Sequence, residues 1–431
     1  MRKSASKILF VFLCCITCIT VENSNYDLDS KMAVSMKPEF SIFHHNDLQS
    51  KIFFKIKTAD LLYTRNDRTK PFNANLKLSY TLYTENGKTW IDSGSIFWKD
   101  FYITNKKEFI DTVIPFNLNV NKLAKLKLSI TDLNRFRTYE RLVDVNKKDV
   151  YHRQFFLIKD TNNHILLNNY YTGSKHINVT NNFLTNQSIY VNNNDINFPV
   201  ALPPFSKARR PSFPKATGQY KRIDFHKNTD FVLPENGFVY FQIDTLTNQG
   251  FSLFNFDPYF PYLKELEQLI PPLRFLCTKE EFKKIANGSD PKNIVDQFWL
   301  SKTSSMERAR NLIKTYYSRV EKANEMFTSH LEGWKTDRGM ISIIFGPPSY
   351  VRKTKNTEIW YYGQQSNSNL NAYNSLNDPM RIQTSGLKFT FDKVSNPFSM
   401  NDYELDRNYS YKSSWYRAVE SWRKGKVYIV Q

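Results

Sequence analysis

Apolar and polar residues alternate with a period of two along much of the first third of the chain. Successive side chains of a strand point to opposite faces of a sheet, so this pattern predicts half-buried strands. Asn86-Gly87 lies between two of them and predicts a two-residue hairpin turn. The rhythm predicts a β-sandwich-like domain over residues 38–150. The predicted strands are 51–56, 76–83, 89–98, 109–116, 125–131 and 139–145.

Short strand-like runs continue over residues 151–260 and predict a second β-rich, sandwich-like domain. A proline-bearing stretch, 202–214, interrupts it and is either a partner-binding arm or an edge loop between strands. Residues 261–277 are rich in proline and are expected to be a linker. The predicted strands of this domain are 154–160, 164–167, 187–191, 231–233 and 237–243.

The periodicity changes to helical spacing beyond the linker. Thr278 and Glu281 form a capping-box pattern, and Asp290 precedes a proline at a first helical position, so two short helices are expected. Apolar residues at helical spacing predict one long helix over 305–332. Gly333 follows it, where a left-handed C-terminal cap is expected.

The six-residue apolar run 340–345 is short for a helix and predicts a buried strand. Gly346-Pro347-Pro348 would end that strand, because proline cannot donate to a sheet ladder. Residues 278–431 are therefore expected to form an α+β domain, with helices packed on a small antiparallel sheet. Its other predicted elements are strands at 357–362 and 387–392, a mobile insert at 364–386 and a helix at 415–422.

The chain has 60 Lys and Arg against 41 Asp and Glu, a formal net charge of +19. These cations are scattered and no nucleic-acid-binding motif accompanies them, so nucleic acid is not an expected partner. Anionic lipid or glycan contact is compatible with such a charge. None of the seven histidines lies in a metal-binding pattern, and no phosphate-binding loop or nucleophile elbow occurs. We therefore predict no cofactor, no metal site and no catalytic residue.

The N-terminus has the pattern of a secretory signal over residues 1–20, with three cations before a short apolar stretch. Cys18, preceded by the small Thr17, is the first candidate for lipidation, and Cys15 is the second. Either would anchor the chain to the outer membrane, with residues 21–37 as a polar tether. The alternative is ordinary cleavage near Thr20, which gives a soluble periplasmic protein.

Asp337 and Arg338, beside Trp334, are the one doublet that invites a catalytic interpretation. They could act as an acid and an electrophile in a cleft. No nucleophile, metal partner or phosphate loop supports that chemistry, so a buried turn that braces helix against sheet is favoured.

The segment around this doublet resembles the GWxTD domain, a family that occurs mainly in Bacteroidetes and related bacteria with an outer envelope. The resemblance spans residues 275–431 and implies an α+β fold and an envelope location, but the family is largely of unknown function. The residues that carry it are Gly333, Trp334, Thr336, Asp337, Arg338, Gly339, Gly346, Pro347, Pro348 and Trp360, with 278–282, 298–299, 316–327 and 361–362.

Three functions are compatible with these features. The expected one is a non-enzymatic envelope (lipo)protein, a scaffold or accessory subunit of an outer-membrane or secretion assembly, with envelope proteins as partners. The second is an envelope hydrolase that uses Asp337, which would need a second carboxylate or a histidine within about 10 Å in a pocket. The third is a glycan-binding surface protein, which would expose Trp and Tyr side chains on the β-rich domains.

Overall fold

The structure is a computed structural model. It describes residues 36, 38–102, 107–172, 175–184, 187–194, 197–208, 211, 220–235, 237–246, 249–256, 258–303, 305–354, 356–363, 386–399 and 401–430. The expected signal, both candidate cysteines, all but Met36 of the expected tether and all but Gly386 of the expected insert lie outside these residues. Met36 is buried in the core of the first unit, so a solvated tether does not extend to residue 36. Among the described residues, no helix is long and apolar enough to cross a membrane.

Residues 39–146 form two antiparallel sheets, with strand orders β1-β2-β5 and β4-β3-β6-β7. All six strands predicted from the alternation are confirmed, as is the hairpin turn, where Gly87 has φ of 70°. Buried side chains such as Ile52 and Leu78 join both sheets in one core. The strands are β1 (Glu39–His44), β2 (Gln49–Lys57), β3 (Asn73–Thr84), β4 (Trp90–Phe101), β5 (Phe109–Asn117), β6 (Leu123–Asp132) and β7 (Arg137–Asn146).

Residues 157–256 form a three-stranded and a five-stranded sheet, ordered β13-β10-β8 and β12-β11-β14-β15-β9. All their pairings are antiparallel except that of β15 with β9. The strands are β8 (Leu157–Asp160), β9 (Tyr170–Thr172), β10 (His176–Thr180), β11 (Gln187–Asn194), β12 (Tyr220–Phe225), β13 (Asn228–Val232), β14 (Phe238–Gln242) and β15 (Gly250–Phe256).

Of the strand predictions in this region, one is confirmed only in part and another is wrong. The predicted strand 154–160 begins with a 3-10 turn, Arg153–Phe155, and is a strand only from Leu157. The predicted strand 164–167 reduces to one bridge between Ile165 and Lys159. The Leu166 carbonyl accepts a hydrogen bond from the buried Arg153 guanidinium (3.0 Å) instead of from a neighbouring strand.

Helices surround a four-stranded antiparallel sheet, β16-β17-β18-β19, in the C-terminal part. The two predicted short helices have the expected caps at Thr278 and Asp290. The helices are α1 (Leu266–Leu269), α2 (Lys279–Ala286), α3 (Pro291–Leu300), α4 (Met306–Phe327), α5 (Asp337–Phe345) and α6 (Tyr411–Arg423). The strands are β16 (Tyr350–Lys353), β17 (Thr357–Tyr361), β18 (Lys388–Lys393) and β19 (Tyr403–Leu405).

The run 340–345 is helical, and the prediction of a strand there is wrong. It belongs to α5, whose nine residues are all buried. A helix buried on every side is apolar all round and loses the periodicity that separates it from a buried strand. Thr336 starts it as a helix, because its side chain accepts from the Gly339 N–H (3.0 Å).

The predicted end of the long helix is also wrong. Helix α4 ends at Phe327, five residues early, and Gly333 starts a 3-10 turn, Gly333–Lys335. Gly333 is not among the described residues with positive φ, so it is not a left-handed cap.

Candidate functional site

The tryptophan bend, residues 333–339, lies between α4 and α5 and contains two glycines that admit no side chain. A Cβ on Gly333 would lie 1.9 Å from the carbonyl oxygen of Ala323 in α4. A Cβ on Gly339 would lie 1.9 Å from the carbonyl oxygen of Gly333. Glycine is therefore required at both positions by close backbone approach.

Trp334 and Thr336 close the bend. The Trp334 N–H donates to Oδ1 of Asn324 (3.0 Å), and its ring, 6% exposed, meets Phe275 edge-on at 6.0 Å. The Thr336 hydroxyl donates to the Gly333 carbonyl (2.7 Å) while it caps α5. These bonds satisfy backbone groups that would otherwise be buried without partners.

Asp337 links the start of α5 to two other segments. One carboxylate oxygen accepts from the Leu405 N–H (2.9 Å), and the other accepts from the Arg407 guanidinium (2.5 Å). Arg407 also donates to the carbonyl oxygen of Leu202 (3.3 Å). Asp337 is 7% exposed, so this carboxylate holds its ion pair almost out of water.

Arg338 points to the other side and enters a second buried ion pair. Its guanidinium donates to Glu358 (3.2 Å) and to the carbonyl oxygen of Asn401 (3.0 Å), and it lies 4.1 Å from the centre of the Tyr403 ring. Burial alone would raise the pKa of Glu358, but Lys353 (2.9 Å) and Arg338 outweigh it and lower this pKa to about 2. Glu358 is thus held ionised inside the fold.

The remaining motif residues lie around the end of α5 and the sheet behind it. Trp360 is fully buried and packs against Phe327 at 5.3 Å. Gly346 ends α5 with φ of 85°, a conformation that glycine adopts without strain. Pro347 is exposed and Pro348 is buried, directly before β16.

Three side chains bind the carbonyl groups at the end of α5. Arg319 donates to Ile343 (2.9 Å), the Trp422 indole donates to Ile344 (3.0 Å), and the Tyr362 hydroxyl donates to Gly346 (2.9 Å). They come from α4, from α6 and from the residue after β17. Three separate elements therefore hold the C-terminal end of α5. Arg319 and Tyr362 lie in segments that carry the family resemblance, but the sequence did not indicate that they and Trp422 bind the end of α5, because no spacing connects the three residues.

A segment of the β-rich region, residues 197–206, crosses onto the bend. The Ala201 N–H donates to the Lys335 carbonyl (2.8 Å), and the Pro204 carbonyl accepts from the Asn408 N–H (3.1 Å). Phe205 packs against Tyr416 of α6 at 5.4 Å. The beginning of the proline-bearing stretch, residues 202–205, is therefore packed against the C-terminal part, whereas Lys207, Ala208 and Pro211 are exposed.

The bend takes part in two buried ion pairs. It supplies the acid of one, Asp337 with Arg407, and the base of the other, Arg338 with Glu358. Both oxygens of Asp337 already hold protein donors. Among the described residues, no three His, Cys, Asp or Glu side chains are grouped to hold a metal ion. A surface depression lined by Asp160, His164 and Lys175 lies in the β-rich region, away from the bend.

The comparison with known proteins concerns the C-terminal half. No curated protein matches the chain. The model of the GWxTD domain matches residues 237–424. The match includes the bend, the buried ion pairs and α5, and it begins at β14, upstream of the predicted linker. Residues 237–424 are therefore identified as a GWxTD domain.

Proposed function

We propose that the chain is a non-enzymatic cell-envelope protein, a scaffold or accessory subunit in which the tryptophan bend is a structural joint. The observation that carries this proposal is the state of Asp337. Its carboxylate is 7% exposed, and both of its oxygens are engaged by protein donors, the Leu405 N–H and the Arg407 guanidinium. A catalytic carboxylate has to reach the proton or the atom on which it acts.

Contacts between the parts of the chain support a scaffold. β14 is buried on both faces: Val239 and Phe241 belong to the core of the β-rich region, and Phe238 and Tyr240 pack against Phe398 of the C-terminal part. Asp144 of β7 pairs with Lys393 of β18 (3.3 Å). We propose that the first two-sheet unit and the second, which shares β14 and β15 with the GWxTD domain, hold that domain in a fixed orientation for a partner.

The envelope location in this proposal rests on the sequence of residues 1–20. A signal ending at Cys18 or Cys15 would deliver the chain to the envelope and attach a lipid, with the outer membrane as the expected site. The partners are then other envelope proteins. Lipidation gives reversible or stable anchoring according to how many chains or additional contacts it has.

Affinity capture from detergent-solubilised envelopes tests the scaffold proposal. A chain tagged at its C-terminus is expected to co-purify with stoichiometric envelope proteins, identified by mass spectrometry. The matched control carries Cys15→Ser and Cys18→Ser, which should release the chain from the membrane fraction while the fold is kept. Recovery of the unmodified chain only as a free monomer would contradict the proposal.

A second candidate, a glycan-binding surface protein, is favoured by two exposed aromatic side chains of the first β-rich region. Trp90 and Tyr102 are 60% and 61% exposed, and flat exposed rings can stack on sugars. Glycan-array binding that is lost in Trp90→Ser and Tyr102→Ser chains would support this candidate.

A further inference from the structure

One end of the first two-sheet unit collects exposed aromatic side chains. We call it the basal end, and it contains the strand termini at Lys57, Asn73, Phe101 and Asp132. Within each sheet the register aligns these termini, since Lys57 pairs with Phe109, Asn73 with Phe101, and Asp132 with Arg137. The segment after Lys57 joins the two sheets at this end, because the Thr58 N–H donates to the Glu108 carbonyl (2.9 Å) and the Leu62 N–H donates to Asp132 (3.2 Å). The described chain also enters β1 at this end, because Glu39 pairs with Lys55.

Four aromatic side chains of the basal end are exposed. Phe136 is 90% exposed, Tyr102 61%, Phe101 44% and Phe72 41%. Their loops are tied down, since the Tyr102 N–H donates to Phe72 (2.8 Å) and the Asn134 amide donates to Leu62 (2.8 Å). Four adjacent strands span about 14 Å, so the rings form a broad rim rather than a single anchor.

Cations surround these rings. Arg65 lies 4.6 Å from the centre of the Phe72 ring, and Lys99 lies 5.5 Å from that of Phe101. Exposed side chains at this end also include four further cations, Arg68, Lys70, Lys107 and Arg137. The exposed carboxylates described there are three, Asp67, Glu108 and Asp111; Asp100 accepts from Tyr63, and buried Asp132 pairs with Arg135.

We infer that the basal end docks on an anionic membrane surface, with the phenylalanine rings at headgroup level and the cations on lipid phosphates. Aromatic side chains prefer the membrane–water interface, and clustered Lys and Arg are attracted to anionic lipids. Three of the four rings are phenylalanine, which has no polar group to hydrogen-bond a sugar, so lipid is favoured over glycan.

The position of the chain entry supports the same orientation, and this step rests on the proposed envelope anchoring. A lipid on Cys18 would be separated from Glu39 by about 20 residues, which reach at most about 70 Å. Because β1 starts at the basal end, such a tether leaves the folded unit on the side that the inference turns towards the membrane. A basic aromatic surface would add to the attachment that the lipid gives.

Sedimentation with vesicles tests the inference on the processed, non-acylated chain, residues 21–431. We expect binding to vesicles of 70% phosphatidylcholine and 30% phosphatidylglycerol, and little binding to pure phosphatidylcholine or in high salt. The basal variant should reduce the partition coefficient at least tenfold. It carries Phe72→Ser, Phe101→Ser, Phe136→Ser, Arg68→Gln, Lys70→Gln and Lys99→Gln.

A matched variant of the opposite end controls for total charge and apolar surface. It should bind within twofold of the unmodified chain, and circular dichroism should give both variants an unchanged melting temperature. It carries Leu48→Ser, Trp90→Ser, Ile91→Ser, Lys88→Gln, Lys122→Gln and Lys148→Gln, all at exposed positions.

Three results would overturn the inference: no binding to anionic vesicles, equal loss in both variants, or binding to soluble glycan strands in place of vesicles. Lipid binding is measured without any partner protein. A failure here is therefore distinct from a failure of the affinity capture, which addresses the scaffold proposal.

Discussion

Gly333 shows how tightly single residues of the bend are constrained. A methyl group there would meet the Ala323 carbonyl oxygen at 1.9 Å, and backbone cannot move aside as a side chain can. We predict that Gly333→Ala lowers the free energy of unfolding by about 3 kcal/mol, measured by urea denaturation. The matched control is Gly288→Ala, whose methyl would meet only the flexible end of Ile294. Similar losses of unfolding free energy for both variants would show that the contact with the Ala323 carbonyl does not account for the effect of Gly333→Ala.

We predict that Asp337 joins the tryptophan bend to the segments around Leu405 and, through Arg407, Leu202. Asp337→Asn removes the nearer and more buried of the two carboxylates beside the Arg407 guanidinium and leaves only Glu404 at 3.6 Å, so we expect a loss of about 3 kcal/mol. Arg407 also binds the Leu202 carbonyl, so trypsin should cleave faster after Lys207 in this variant. Glu332→Gln, which removes a more exposed pair with Lys335, is the control and should change neither measurement. Unchanged cleavage after Lys207 would argue against the joint.

Helix α5 depends on side chains from other elements to satisfy its C-terminal carbonyl groups. The Arg319 guanidinium, whose pKa burial lowers to about 10, donates to Ile343 and also contacts the Trp422 ring at 5.1 Å. Arg319→Met should leave a carbonyl group without its donor and cost about 2 kcal/mol in urea denaturation. Arg310→Met, on the exposed face of the same helix, is the control and should cost little. Equal stability of the two variants would contradict the capping role.

The strands of the first unit could be predicted from the sequence because each buries one face, and alternation records that directly. β3 has five buried residues in strict alternation, and its bounds differ from the prediction by a few residues. Helix α5 could not be predicted, because complete burial removes periodicity. The motif positions Asp337 and Arg338 were visible as a doublet, but their partners Arg407 and Glu358 lie far away in sequence and only the fold brings them together.

At the scale of the whole molecule, the two β-rich units meet through a junction that buries basic side chains. His44 is fully buried, bonds Ser50 (2.9 Å) and the Asn146 carbonyl (3.0 Å), and packs against Phe155 of the second unit at 4.6 Å. Lys147 is also buried and donates to the same Ser50 hydroxyl (3.2 Å). Burial and then the Lys147 charge lower the pKa of His44 to about 3.

This junction makes stability depend on pH in a definite direction. Below about pH 6.5 the unfolded chain protonates His44 while the folded chain does not, so acid favours unfolding. At pH 5 the loss from His44 alone should be about 2 kcal/mol relative to pH 7. Burial also lowers the pKa of His152, to about 4, and adds a loss of stability in acid of the same sign.

Urea denaturation of the unmodified chain and of His44→Gln at pH 7 and pH 5 measures this loss of stability. The variant should lose less stability between pH 7 and pH 5, whereas exposed His226→Gln should behave like the unmodified chain. If His44→Gln keeps the full pH dependence, then protonation of His44 is not the cause of the lower stability in acid.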